Sequence, residues 1–133
     1  MTEEVPIRVR DLMATELHAI DGLATVAEAM ALMKRHQVDS VVVNRRNKDD
    51  ELGVLTVGDI ARGVIAHNRS PERVNVYEVM SKPLLTVPDD MLAKYAVRLL
   101  VRFSLSRAVV VDRQRDAIGK VTLRDLIMGY MEE

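Results

Sequence analysis

Cysteine and tryptophan are absent from this chain, and aromatic residues make up only 3% of it. Without cysteine there is no disulfide scaffold, no thiolate metal site and no cysteine nucleophile. Charge of one sign is lacking too. The 133 residues carry 19 basic and 20 acidic side chains, a net charge of -1. No global field draws a nucleic-acid backbone or an anionic bilayer. The apolar runs fall far short of the roughly 20 residues a membrane span needs. The opening MTEEVPIRVR lacks the apolar stretch of a secretory signal. What the chain does have is aliphatic mass: 48% hydrophobic residues, eight Met and one Phe. That suffices for a core of Val, Leu, Ile, Ala and Met in one domain or two small units. The expectation is a soluble, cytoplasmic globular protein with no nucleic-acid partner and no membrane span.

The chain repeats itself. At a shift of 67, Val9, Met13, Leu17, Ala29, Leu32, Val42 and Val43 meet Val76, Met80, Leu84, Ala96, Leu99, Val109 and Val110. The loop Asn44–Glu51 is one residue longer than its counterpart, so the shift becomes 66. Gly53, Thr56, Asp59 and Gly63 then meet Gly119, Thr122, Asp125 and Gly129. Two copies at so long a period indicate a pseudo-two-fold pair rather than a solenoid. The repeats are taken as residues 7–68 and 76–133, with a linker at 69–75.

Each repeat reads as β-α-β-β-α, an α+β class. Leu17–Ile20 and Leu84–Val87 are short apolar strands. Thr25 with Glu28 forms a capping box, and Val26, Ala29, Met30 and Met33 share a helical face. In the second repeat Asp90 is the expected N-cap, with Leu92, Ala96, Leu99, Leu100 and Phe103 as the apolar face. Val41–Val43 and Ala108–Val111 are β-branched runs expected as buried strands. Leu52–Leu55 and Ile118–Val121 should close antiparallel hairpins, followed by helices over Val57–His67 and Leu123–Met131. Ser70-Pro71 has the pattern of an N-cap and first-turn proline.

Both repeats place Gly-x-x-Thr-x-x-Asp where the last strand meets the last helix: Gly53, Thr56 and Asp59, then Gly119, Thr122 and Asp125. Thr and Asp at this spacing make a capping box worth about 1 kcal/mol. The same geometry suits a ligand. A helix N-terminus offers free N–H groups to an anion, and a carboxylate one turn in can accept both hydroxyls of a ribose. The two roles are compatible.

These motifs, with the openings Val9-Arg10-Asp11-Leu12-Met13 and Val76-Tyr77-Glu78-Val79-Met80, resemble a tandem pair of cystathionine-β-synthase (CBS) domains, a Bateman module. The likeness covers roughly Ile7 to Tyr130. It implies a pseudo-symmetric module that binds adenosyl ligands (AMP, ADP, ATP or S-adenosylmethionine) as effectors in clefts between the repeats. By that likeness Asp59 and Asp125 hold ribose hydroxyls, and Thr56 and Thr122 meet ribose or phosphate. Ala19 and Ile20, with Thr86 and Val87, flank the adenine. Arg107 matches the family's phosphate-reading cation before the middle strand, whereas the first repeat has Ser40 there. Lys120 and Arg124 also flank the second motif, against Val54 and Gly58 in the first. The second set is therefore the better candidate for a phosphate-rich ligand.

His18, His36 and His67 are scattered along the chain and read as surface histidines, so no metal is expected. Arginine outnumbers lysine fourteen to five, which suits anion clamps but follows as readily from genome composition. Met30, Met33, Met91 and Met128 fit core or interface filling. The loops Asn44–Glu51 and Asp112–Asp116 look solvated. With no recognisable catalytic motif, the expectation is a non-enzymatic, energy-sensing regulatory module. It needs no other cofactor, forms a homodimer and signals to an unknown regulated protein. The alternative is a ligand-free dimerisation or docking module, in which the Thr-x-x-Asp segments only cap helices.

Overall fold

The structure is a computed structural model, and it describes residues 6–82 and 85–129. The chain packs as two compact units: His18–Pro83, and Met1–Leu17 together with Leu84–Glu133. This division differs from the sequence repeats 7–68 and 76–133. The opening segment of each repeat belongs to the unit built mainly from the other.

The contiguous unit contains β1 (Ala19–Ile20), α2 (Val26–His36), β2 (Ser40–Val43), β3 (Gly53–Thr56), α3 (Val57–Gly63) and a 3-10 turn (Ile65–His67). It ends with the one-turn helix α4 (Val76–Val79). In its sheet β1 runs parallel to β2, and β2 pairs antiparallel with β3, with Val42 opposite both Ala19 and Val54. The split unit contains α1 (Val9–Leu12), β4 (Thr86–Pro88), α5 (Ala93–Arg102), β5 (Arg107–Val111), β6 (Ala117–Thr122) and α6 (Leu123–Gly129). Its sheet repeats the plan, with Val109 opposite both Thr86 and Lys120.

Apolar β-branched runs drive each sheet, with alternating burial in β3 and β5 and an unbroken buried run, Val41, Val42 and Val43, in β2. Val41, Val43 and Leu55 enter one core with Val26, Ala29 and Met33 of α2. Val87, Val110 and Val121 enter the other with Ala93, Ala96 and Leu100 of α5. The exchanged segments complete these cores. Val9 is fully buried among residues of the split unit, and Val76 among those of the contiguous one. Each buried valine contributes about 1.5–3 kcal/mol.

Several local expectations change. Thr25 does cap α2, accepting from the Glu28 N–H at 3.1 Å. Asp90 does not cap α5: the N-cap is Leu92, with no side-chain bond. The Ala93 N–H instead donates to the Ile7 carbonyl at 2.8 Å, so exchanged backbone satisfies that helix end. Phe103 is the C-cap of α5 and 54% exposed rather than a core residue. Ser70-Pro71 starts no helix; it lies at the approach to a turn whose Pro71 carbonyl accepts from Ala27 N–H. The helix expected over Val57–His67 stops at Gly63, because Val64 leaves helical geometry at φ -122, ψ -66. The first strands are shorter than expected, and Leu84, Tyr130 and Met131 lie outside the described residues.

Candidate functional site

The two Thr-x-x-Asp segments build the same local geometry. In the contiguous unit the Thr56 N–H donates to Asp59 Oδ2 at 3.0 Å, and the Asp59 N–H donates to Thr56 Oγ1 at 3.1 Å. In the split unit the Thr122 N–H donates to Asp125 Oδ2 at 3.1 Å, and the Asp125 N–H donates to Thr122 Oγ1 at 3.0 Å. Both capping boxes are therefore formed. Each uses one carboxylate oxygen and leaves the other to be assigned.

That second oxygen separates the two units. Asp59 Oδ1 accepts from the Arg62 guanidinium at 3.2 Å and from the Ser81 hydroxyl at 3.2 Å. Among the described residues nothing is bonded to Asp125 Oδ1. The repeat explains the contrast. Met128 occupies the place of Arg62, and Ala14 that of Ser81. The bridges confirm the second equivalence, since Ser81 pairs with Val54 and Ala14 with Lys120. Arg62 was findable from sequence as an i,i+3 partner of Asp59. Ser81 was not, because its approach depends on the exchange of segments.

Sheet register gathers the other split-unit candidates. Arg107 lies opposite Thr122, and Lys120 opposite Val109, which is opposite Thr86. Opposed residues project to the same side of a sheet, so Thr86, Arg107, Lys120 and Thr122 share one face. Thr86, Arg107 and Lys120 are exposed. Neither cation is ion-paired among the described residues. Val87 projects to the opposite face and is fully buried in the core. Its side chain is therefore turned away from that face, and its backbone is the part that faces the Thr86 side of the strand.

In the contiguous unit Ala19 is exposed, while Ile20 is half-buried against the core. Ser40 lies opposite Thr56, where the split unit has Arg107 opposite Thr122. Asp59, Arg62, Gly63, His67, Arg69, Glu78 and Val79 line a polar hollow of about 410 Å³. Its charges are matched internally: Arg62 pairs with Asp59, and Arg69 with Glu78 at 3.0 Å.

The family model for the CBS domain matches residues 9–66 and again 76–132. The chain belongs to the CBS domain family. The match spans two CBS domains in tandem, and solved CBS proteins share the fold. A hexameric CBS-CP12 protein from bloom-forming cyanobacteria is 29% identical, with a TM-score of 0.78 over 93% of this chain and 68% of that one. The CBS domain of a bacterial CNNM/CorC-family Mg2+ transporter, solved in complex with ATP, is 28% identical. Its TM-score is 0.76 over 96% of this chain and 89% of the other. In sequence, a protein of Methanopyrus kandleri is 33% identical over 103 residues, 77% of this chain. The present chain spans about half, 52%, of that relative's length.

Proposed function

We propose that this CBS pair is a non-catalytic regulatory module whose effector is an adenosyl ligand, held chiefly by the split unit. The observation that carries this reading is the uncommitted Oδ1 of Asp125 beside a capped helix start. A ribose diol needs a carboxylate acceptor, and Asp125 offers one without breaking its capping bond. Thr122 supplies a hydroxyl, and Arg107 and Lys120 on the same sheet face supply charge for phosphate. The ATP complex of the transporter's CBS domain supports the ligand class. Nothing in this constellation sets a nucleophile or base against a scissile bond. Its output is differential binding that biases a partner's conformations.

In the contiguous unit, Arg62 and Ser81 compete for the Asp59 oxygen that a ribose would need, so this site is the weaker one. A structural reading, in which the motif only caps a helix, suits this unit better than the other. Titration calorimetry with AMP, ADP, ATP and S-adenosylmethionine tests the proposal. At least one ligand should bind more tightly than about 100 μM, or about -5.5 kcal/mol. Asp125→Asn should remove most of that affinity, and the double variant with Asp59→Asn should remove all of it. Undiminished affinity in the double variant would refute the ribose assignment.

The module also assembles with itself in this reading. The exposed apolar side chains Met30, Val57 and Ile65 border a groove of about 770 Å³ on the contiguous unit. Val101, Phe103 and Ile127 are exposed on α5 and α6 or at their ends. A second copy of the chain is the occupant that fits, and the hexameric cyanobacterial relative supports it.

A further inference from the structure

His18 and His36, far apart in sequence, are brought face to face within the contiguous unit. Their ring centroids are 3.8 Å apart and the planes differ by 18°. A ring nitrogen of one lies within 4.8 Å of a ring nitrogen of the other. Both residues are anchored through the backbone. The His18 carbonyl accepts from the Val42 N–H at 2.9 Å, which holds it at the start of β1 beside β2. His36 is the last residue of α2, where Gln37 turns into the left-handed region at φ 55.

We propose that this histidine pair is a binding site for a late first-row divalent metal ion of the zinc class. Imidazole is the ligand type that such ions favour over Mg2+ or Ca2+. Two nitrogens bonded to one zinc at about 2.0–2.1 Å stand roughly 3.4 Å apart at the tetrahedral angle. The two rings already bring nitrogens to within 4.8 Å of each other, close to that distance. The carbonyl end of α2 carries the negative pole of the helix dipole, which favours a cation there. Water completes the coordination. The inference is independent of the adenosyl reading, since it uses none of that site's residues.

Zinc titration of the chelator-treated full chain, followed by calorimetry and by the imidazole NMR signals, tests it. One zinc per chain should bind with a Kd of about 10 μM or tighter. The ring resonances of His18 and His36 should shift together, while those of His67 stay in place. His18→Ala and His36→Ala should each weaken binding at least about tenfold, and His67→Ala should leave it unchanged. The NMR readout needs no variant, so it stands even if one of them folds poorly. Absence of saturable uptake, uptake that survives both substitutions, or shifts confined to His67 would overturn the assignment.

Discussion

The carboxylates show how much one neighbour decides. Asp59 and Asp125 share a motif, a cap and a register, and differ because Arg62 and Ser81 are replaced by Met128 and Ala14. The charge asymmetry was legible in the sequence as Arg107 against Ser40. The occupied oxygen was not, since one of its two donors comes from a distant segment. Asp50 offers a measurable counterpart. The Arg46 backbone N–H and then the Lys82 ammonium hold its carboxyl at about 2, below the ordinary 3.8. A depressed value favours the folded state in the ionised form. The contribution is complete above the ordinary value and disappears as pH falls from about 4 toward 2. Carboxyl NMR titration should place the Asp50 midpoint near 2, and Lys82→Met should move it part of the way back up. An unchanged midpoint in that variant would remove Lys82 from the account, leaving the Arg46 bond alone.

Recurrent glycines find their reason in the elements they face. A Cβ on Gly119 would lie 2.6 Å from the Ala14 carbonyl oxygen, and one on Gly53 would lie 2.7 Å from Met80 Sδ. Gly63 and Gly129 are crowded by Val79 and Leu12 in the same way. All four therefore keep clear the ground on which the exchanged segments lie. Gly119→Ala should cost about 1–3 kcal/mol, and more than Gly53→Ala. The first obstacle is backbone, whereas the second is a flexible thioether. Thermal unfolding of the two variants checks the order, and equal losses would discount the segment contact. Apolar β-branched runs located the strands, and the 3.6-residue spacing of apolar side chains located the major helices. The sequence pattern missed α1 and α4, single turns too short to show a period. It also misplaced the α5 cap, because the donor's partner is the remote Ile7 carbonyl.

For the whole molecule, the duplicated plan was legible from matching residues alone, and the CBS family match agrees with it. The way segments are shared between units was not, since identical repeats can pack with or without exchange. Exposed apolar helix surfaces make self-association the property to measure. Sedimentation should show a concentration-dependent assembly larger than one chain. Ile127→Glu, at a site 42% exposed, should shift it toward the monomer without unfolding. A monomer at every concentration would exclude the second copy as occupant. Exchange also sets an order of events at the ribosome. Residues 18–82 hold every described segment of one unit in a single stretch, whereas Ile7, Val9 and Leu12 are synthesised long before α5 and β6 exist to receive them. At about 5–20 residues per second, that leaves a lag of roughly 5–20 seconds in which this apolar segment and its one-turn helix have no home. Among the described parts of the chain, the earliest made is among the last to be sheltered, and it is where a chaperone would find most to hold.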